Sequence, residues 1–545
     1  MLEPLCSLAR SDDVELEIQR YSILAIANLA SSTENHKTFV EEGTLAMLIS
    51  LSTANDAEVR QYAAFAVTKV AQNAEVCNTV TEDGGLEPVL YLARTDEPEI
   101  QKQVLPALCA LSFNDANKVP ICRNGGLEVV VRAIRDGTAD SAYLACSTVA
   151  NLAEMVENLD LIADSAAIPN LVSVLSSPSD ELKRESARAL GNLSANIELG
   201  DVILREGSLM YLIPMIRSAD PLTQRMAAMA ICNLSSNIRN QSFMLEAGLF
   251  EPLLKETALS LDPKAKSDHE TTRYNLLTLT NLAVNVSNHP LMMKEALETL
   301  TAFSKHRDIK CRQHAVFCIA NLCASAENLE QIMASGSLRT LITYAFPSTD
   351  VSTNVQFQAV AALRGLATHP ILRVQLVREG ALEPLIMSTK SPSVEVQREA
   401  AATLCNLAMS EENKVTMARS GVLACLVTLA LSGDQQRELH AAAAMANIAE
   451  MVEGRTQERL IEEGVIKPLM RLADSPNGEI RREVARCFAL FASKRDSHPT
   501  LVRVHAAVRM TLLLSDAVRV NTTLRLLNSF FNFCCRMKWQ SDTGF

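Results

Sequence analysis

A run of small apolar residues closed by asparagine recurs along the chain. Leu24-Ala-Ile-Ala-Asn28-Leu-Ala returns as Thr148-Val-Ala-Asn151-Leu-Ala, Ala189-Leu-Gly-Asn192-Leu-Ser and Ala230-Ile-Cys-Asn233-Leu-Ser. Leu279-Thr-Asn281-Leu-Ala, Cys318-Ile-Ala-Asn321-Leu, Thr403-Leu-Cys-Asn406-Leu-Ala and Ala444-Met-Ala-Asn447-Ile-Ala continue it. Carrying the register through the gaps places Lys69, Ala110, Gly365 and Leu490 in the same column, with steps of 41, 41, 41, 41, 41, 48, 40, 44, 41, 41 and 43 residues. A fixed period of this length marks a repeat array, in which each repeat buries its apolar face against its neighbours. The column defines twelve repeats, and the 545 residues do not divide into separate globular domains.

Breakers at repeated places define the elements. Fifteen residues after the column stands glycine, at 43, 84, 125, 207, 248, 336, 380 and 421, often followed by an apolar residue and Glu-Pro, as in Leu86-Glu-Pro88, Phe250-Glu-Pro252 and Leu382-Glu-Pro384. Glycine ends one helix and proline opens the next. A short apolar helix, a turn such as Ser391-Pro-Ser393, and a longer Ala- and Leu-rich helix from Val394 to Met409 complete the repeat. The spacing predicts an all-α chain of three-helix repeats over residues 1–505, with the asparagine column on the third helix. Two long steps insert polar loops, around Asp262–His269 and Ser348–Thr353, between second and third helices. Met1-Leu-Glu-Pro-Leu5 aligns with Ala381-Leu-Glu-Pro-Leu385, so the first repeat lacks its opening helix. Leu2, Leu5 and Leu8 are then uncovered, an expected route to self-association. Residues 506–537 read as one degenerate helical repeat and 538–545 as a polar tail with the sole tryptophan, Trp539.

Period, glycine, Glu-Pro and the Asn-Leu-Ala ending of the third helix together resemble the armadillo repeat. The chain is most similar to long armadillo-only adaptors of the kind found on the yeast vacuole. The resemblance implies a right-handed superhelical solenoid whose third helices line a concave groove. It also implies a non-enzymatic scaffold, and that the column asparagines hydrogen-bond the backbone of an extended partner segment.

Asparagine is a poor former of helix interiors, so its repetition there asks for a compensating role. An amide offers a donor and an acceptor, and the candidate peptide contacts are Asn151, Asn192, Asn233, Asn281 and Asn321, then Asn406 and Asn447. Bonds to neighbouring helix ends are the alternative. A second column seven residues on, with Asn35, Asn117, Asn158, Asn240, Asn288, Asn328 and Asn413, reads as N-caps of the next helix. Just before the main column all residues but Arg364 are small, from Ala27 to Ala489, which predicts close helix approach with Cys109, Cys232 and Cys405 as core fillers. Eight residues before it, seven of twelve positions are basic and none is acidic. Arg184, Arg225, Arg273 and Arg398 in that stripe, with Arg188 nearby, are expected either to select acidic or phosphorylated segments or to pair with local acids such as Glu185 and Glu399.

Composition narrows the function further. Hydrophobic residues make up 48% and aromatic ones only 4%, which suits Ala/Leu-rich helices. With 51 Lys and Arg against 63 Asp and Glu, the net charge of −12 argues against capture of a nucleic-acid backbone. No apolar run is long enough to span a membrane, and neither a C-x-x-C pair nor a nucleotide, zinc-protease or serine-hydrolase motif occurs. Cys311, His314 and Cys318 lack a fourth ligand. The expectation is a cytoplasmic protein without cofactor, metal or catalytic residues, whose partners are extended segments of other proteins. An importin-α-like receptor is the runner-up. That family holds tryptophan four residues before the asparagine, where this chain has Leu24, Ser147, Arg188, Met229, Leu277, Phe317, Ala402 and Ala443. A fragment of a larger protein, such as a ubiquitin ligase, is the third reading.

Overall fold

The structure is a computed structural model. It describes residues 2–492 except 12–13, 96, 263, 265–267, 348–351 and 452–455. The expected repeat at 506–537, the tail at 538–545 and the middle of both insertions lie outside the described residues. Among the described residues all regular structure is helical, and twelve third helices occur in register with the column.

Two compact units divide the chain after Leu282. In the N-terminal unit the third helices are Leu16–Leu29, Ala57–Ala71, Pro98–Leu111, Ala139–Leu152, Asp180–Leu193, Pro221–Ser235 and His269–Leu282, each packed on the next. In the C-terminal unit Ile309–Leu322, Thr353–Thr368, Val394–Leu407, Gln435–Ala449 and Gly478–Ala492 stack in the same way. Each unit therefore has a core that runs through its repeats, drawn from Ala, Leu, Val and Ile side chains without solvent exposure, such as Val67, Leu108, Val149 and Leu190.

Small residues before the asparagine column set how closely the third helices approach. Ala27, Thr68, Cys109, Ala150, Cys232 and Thr280 are buried there. At Gly191 a Cβ would lie 2.5 Å from the Met229 methyl of the next repeat. Burial pushes the Cys232 thiol up to about 12 and raises that of Cys109, so both stay protonated fillers at neutral pH.

The glycine column ends the first helices in the left-handed conformation, with φ from +70° at Gly43 to +93° at Gly125. Cβ crowding disfavours that region for other residues. Two repeats put alanine fifteen residues after the column: Ala166, after Asn151, adopts φ +60°, whereas Ala296, after Asn281, stays at φ −104°.

Third-helix starts are fixed by a column thirteen residues before the asparagine. Asp56, Thr138, Ser179 and Asp220 in the N-terminal unit, and Asp308, Ser352, Ser393 and Asp434 in the C-terminal unit, cap the backbone N–H three residues on. Among the described residues no helix is long and apolar enough to cross a membrane, and no group of His, Cys, Asp and Glu has the arrangement of a metal site.

Candidate functional site

Every third helix ends with carbonyls that lack an intrahelical partner. At the end of Ala139–Leu152 the next N–H groups return to Val149 and Asn151, and Met155 N–H to Leu152, which leaves the Ala150 carbonyl unmatched by backbone. Asn192 of the following repeat supplies the missing donor, its Nδ2 standing 2.8 Å from Ala150 O. Asn233 does the same for Gly191 O at 2.8 Å, and Asn281 for Cys232 O at 3.3 Å. In the C-terminal unit Asn447 reaches Cys405 O at 3.4 Å. Where serine stands two residues after the column, its hydroxyl joins the cap. Ser194 and Ser235 donate to Gly191 O and Cys232 O at 2.8 and 2.7 Å, and Ser112 donates to Cys109 O at 2.7 Å while accepting from Asn151 Nδ2 at 2.9 Å. The column asparagine is thus a helix cap delivered from the next repeat, which is the compensation its poor propensity requires.

This geometry divides the candidate peptide contacts. Asn151 is 3% exposed and both ends of its amide are engaged, because Arg188 Nη1 donates to its Oδ1 at 2.9 Å. It is withdrawn as a contact for a partner. Asn447 is likewise engaged at both ends, by Cys405 O and by Arg486. Asn192, Asn233 and Asn281 are half-buried. Their Nδ2 atoms are occupied, but among the described residues no hydrogen bond reaches their Oδ1 atoms, and none of these oxygens is buried. Three successive repeats therefore present an outward acceptor on the third-helix face. Asn321 and Asn406 are half-buried on third helices of the C-terminal unit.

The seven-on column is structural through a different device from the expected one. Asn35, Asn117, Asn158, Asn240, Asn328 and Asn413 do not cap the helix ahead; each Nδ2 donates back to the leucine carbonyl six residues earlier, at 2.8 to 3.2 Å. Those carbonyls close the preceding third helix. The N-caps ahead come instead from residues such as Asn114, Asn196 and Asn237.

The basic stripe is largely neutralised. Arg225 binds Asp268 with two hydrogen bonds of 2.8 and 2.7 Å, and Arg398 binds Asp434 with its shortest contact at 2.6 Å. Arg184 lies 3.7 Å from both Asp220 and Glu185, Arg188 holds Glu185 at 2.9 Å, and Arg273 pairs with Glu270. Asp220 and Asp434 are N-caps of the following third helix, and Asp268 accepts from Thr271 N–H in the same way. The guanidinium of one repeat thus locks the helix start of the next. Arg398 holds the Asp434 carboxyl down at about 2. At Asp268 burial works upward, and the Arg225 and Thr271 bonds override it, also to about 2. Sequence reasoning named Glu185, which does pair with Arg184 and Arg188, but missed Asp220, Asp268 and Asp434, although an Asp in the N-cap column of the next repeat was a readable signal. Glu399, named as a neighbour for the stripe, pairs instead with Arg364 at 3.0 Å.

Between the amide acceptors the third-helix face is apolar. Met226, Met229, Tyr274 and Leu277 are half-buried on the helices that carry Asn233 and Asn281. In repeat two, where the asparagine is replaced by Lys69, Tyr62 and Phe65 take the corresponding face and Lys69 sits over the Phe65 ring at 5.1 Å.

A family model described as the armadillo/beta-catenin-like repeat matches residues 156–195 and 369–409. Two of the repeats in the chain are thus recognised as armadillo repeats. Both matches begin near the end of one third helix and close on the next, so they coincide with the repeat read from the asparagine column. Among solved structures, one from work on a conserved phosphorylation switch controlling the interaction between cadherin and beta-catenin is similar to this armadillo array with a TM-score of 0.66. It is 15% identical over 90% of this chain and 98% of the other. A crystal structure of an engineered protein is 24% identical over 82% of this chain and 98% of its own, with a TM-score of 0.49. A sequence search of curated proteins finds no match.

Proposed function

We propose that the chain is a non-enzymatic, cytoplasmic scaffold that receives an extended segment of a partner protein along the third helices Asp180–Leu193, Pro221–Ser235 and His269–Leu282. The observation that carries this reading is the row of three outward Oδ1 acceptors, at Asn192, Asn233 and Asn281, each fixed in place by its own amide's cap bond. A partner backbone in extended form offers one N–H to each. At roughly 10 Å per repeat and about 3.3 Å per residue, each repeat spans about three residues of the segment. Side chains between them rest on Met226, Met229, Tyr274 and Leu277. Because the arginines already hold carboxylates, the segment is recognised by backbone and apolar contacts, and the acidic character expected from the stripe is dropped. The interaction between cadherin and beta-catenin named for the similar structure supports protein binding by this fold and is not carried over to this chain.

The test places a photo-crosslinking residue at Met229 or Leu277 and, as control, at the exposed Met210 of a second helix. Crosslinks to one partner segment from the first two sites and none from the third support the reading. Equal capture at all three sinks it.

A further inference from the structure

A second surface lies along the edge where each third helix turns into the first helix of the next repeat. Five residues after the asparagine column, three consecutive repeats of the N-terminal unit carry β-branched apolar residues: Val156 is 76% exposed, Ile197 60% and Ile238 50%. Each opens a helical turn or helix, Val156–Asn158, Ile197–Arg205 and Ile238–Glu246, so the backbone of the repeat holds all three at equivalent places. Single exposed apolar residues are ordinary on a protein surface. Three at one register of a repeat array form a row with roughly 10 Å between members, and the other repeats of this unit put Thr33, Ala74 and Asp115 there.

Acids accompany the row. Glu157 and Glu198 follow Val156 and Ile197 directly, and Asp160 lies one turn on; all three are exposed, and none has an ion pair among the described residues. Glu154, also nearby, is taken by Lys118 at 2.6 Å. Arg239 beside Ile238 is the one cation at the corresponding position of the three repeats. The wider field has the same sign. Residues 1–282 hold 38 acidic and 22 basic side chains, a net of −16, whereas residues 283–545 hold 25 and 29, a net of +4.

We propose that this edge of the N-terminal unit docks a basic segment of a partner protein in polyproline II form, with an aliphatic side chain at every third residue and Lys or Arg between. One turn of that conformation is three residues and rises about 9 Å, so every third side chain falls on one face and such a segment sets its aliphatic groups against Val156, Ile197 and Ile238 in turn. Its cations then face Glu157, Asp160 and Glu198. The charge complementarity selects this occupant over an anionic lipid surface, which the same acids repel. The edge is separate from the Oδ1 row, and the proposal stands whether or not that row binds a partner.

The probe is a labelled nine-residue peptide of three Leu-Lys-Ser units, titrated against the full chain by fluorescence anisotropy. The combined variant Val156→Ser, Ile197→Ser and Ile238→Ser changes only exposed side chains, so the fold is retained, with an unchanged helical spectrum and melting temperature as the check. We expect it to weaken binding at least tenfold. Glu157→Gln with Asp160→Asn and Glu198→Gln should weaken it similarly and flatten its salt dependence. Met210→Ser, at an exposed position of a second helix away from this edge, should leave it unchanged. A peptide of the same composition with its leucines clustered, and a Leu-Glu-Ser version, should bind at least tenfold less. Absence of binding, equal binding by the clustered peptide, or wild-type affinity of the folded serine variant overturns the proposal.

Discussion

Ala166 is held at φ +60° where most first helices end in glycine, and its side chain is exposed. The left-handed region costs a residue with a Cβ about 1–2 kcal/mol, while glycine loses roughly 0.5–1 kcal/mol in chain entropy on folding. The difference favours the substitution. Ala166→Gly should therefore raise the stability of the N-terminal unit by about 0.5–1 kcal/mol, measured as a shift of the urea midpoint at constant slope. A midpoint that falls would show that the surroundings of Ala166 relieve the strain. The position was legible as a break in the glycine column, but its conformation was not, because a sequence does not say whether the turn or the residue gives way.

Third helices are defined at both ends by groups from other repeats, and that sets the consequences of substitution. Asparagine to alanine in a helix interior favours the isolated helix by propensity, yet Asn192, Asn233, Asn281 and Asn447 also cap the preceding third helix. Ala150 O has no other donor among the described residues, whereas Gly191 O keeps Ser194. Asn192→Ala should cost about 1 kcal/mol or more and Asn233→Ala clearly less, by equilibrium unfolding of each variant. Equal effects would contradict the cap assignment. At the other end, Asp434 is held well below its ordinary value by Arg398, so this pair contributes stability above about pH 4 that is lost as the pH falls toward 2. The destabilisation caused by Arg398→Gln should accordingly be largest at pH 6 and shrink through that window. A pH-independent difference would mean that Arg398 acts by packing alone.

In a repeat array, stability is built from nearest-neighbour interfaces, so a fault at one of them should remain local. Gly191 is the sharpest case, since any Cβ there meets Met229 of the next third helix. Gly191→Leu should lower hydrogen-exchange protection in Asp180–Leu193 and Pro221–Ser235 while Ala57–Ala71, three repeats away, keeps most of its protection. Uniform loss would show that the N-terminal unit unfolds as one cooperative block. The sequence by itself determined the all-α class, the twelve-fold register, the glycine turns and the small residues between third helices. Each of these depends on side-chain size or backbone freedom at a fixed spacing, and the period makes that spacing visible. Only the tertiary structure decided what the polar columns do. Asparagine and arginine each offer several donors, and whether those face a partner or the next repeat depends on groups about forty residues away, such as Ala150 O for Asn192 and Asp434 for Arg398. The columns mark such residues as repeated, but the direction in which each side chain bonds is set by how one repeat stacks upon another.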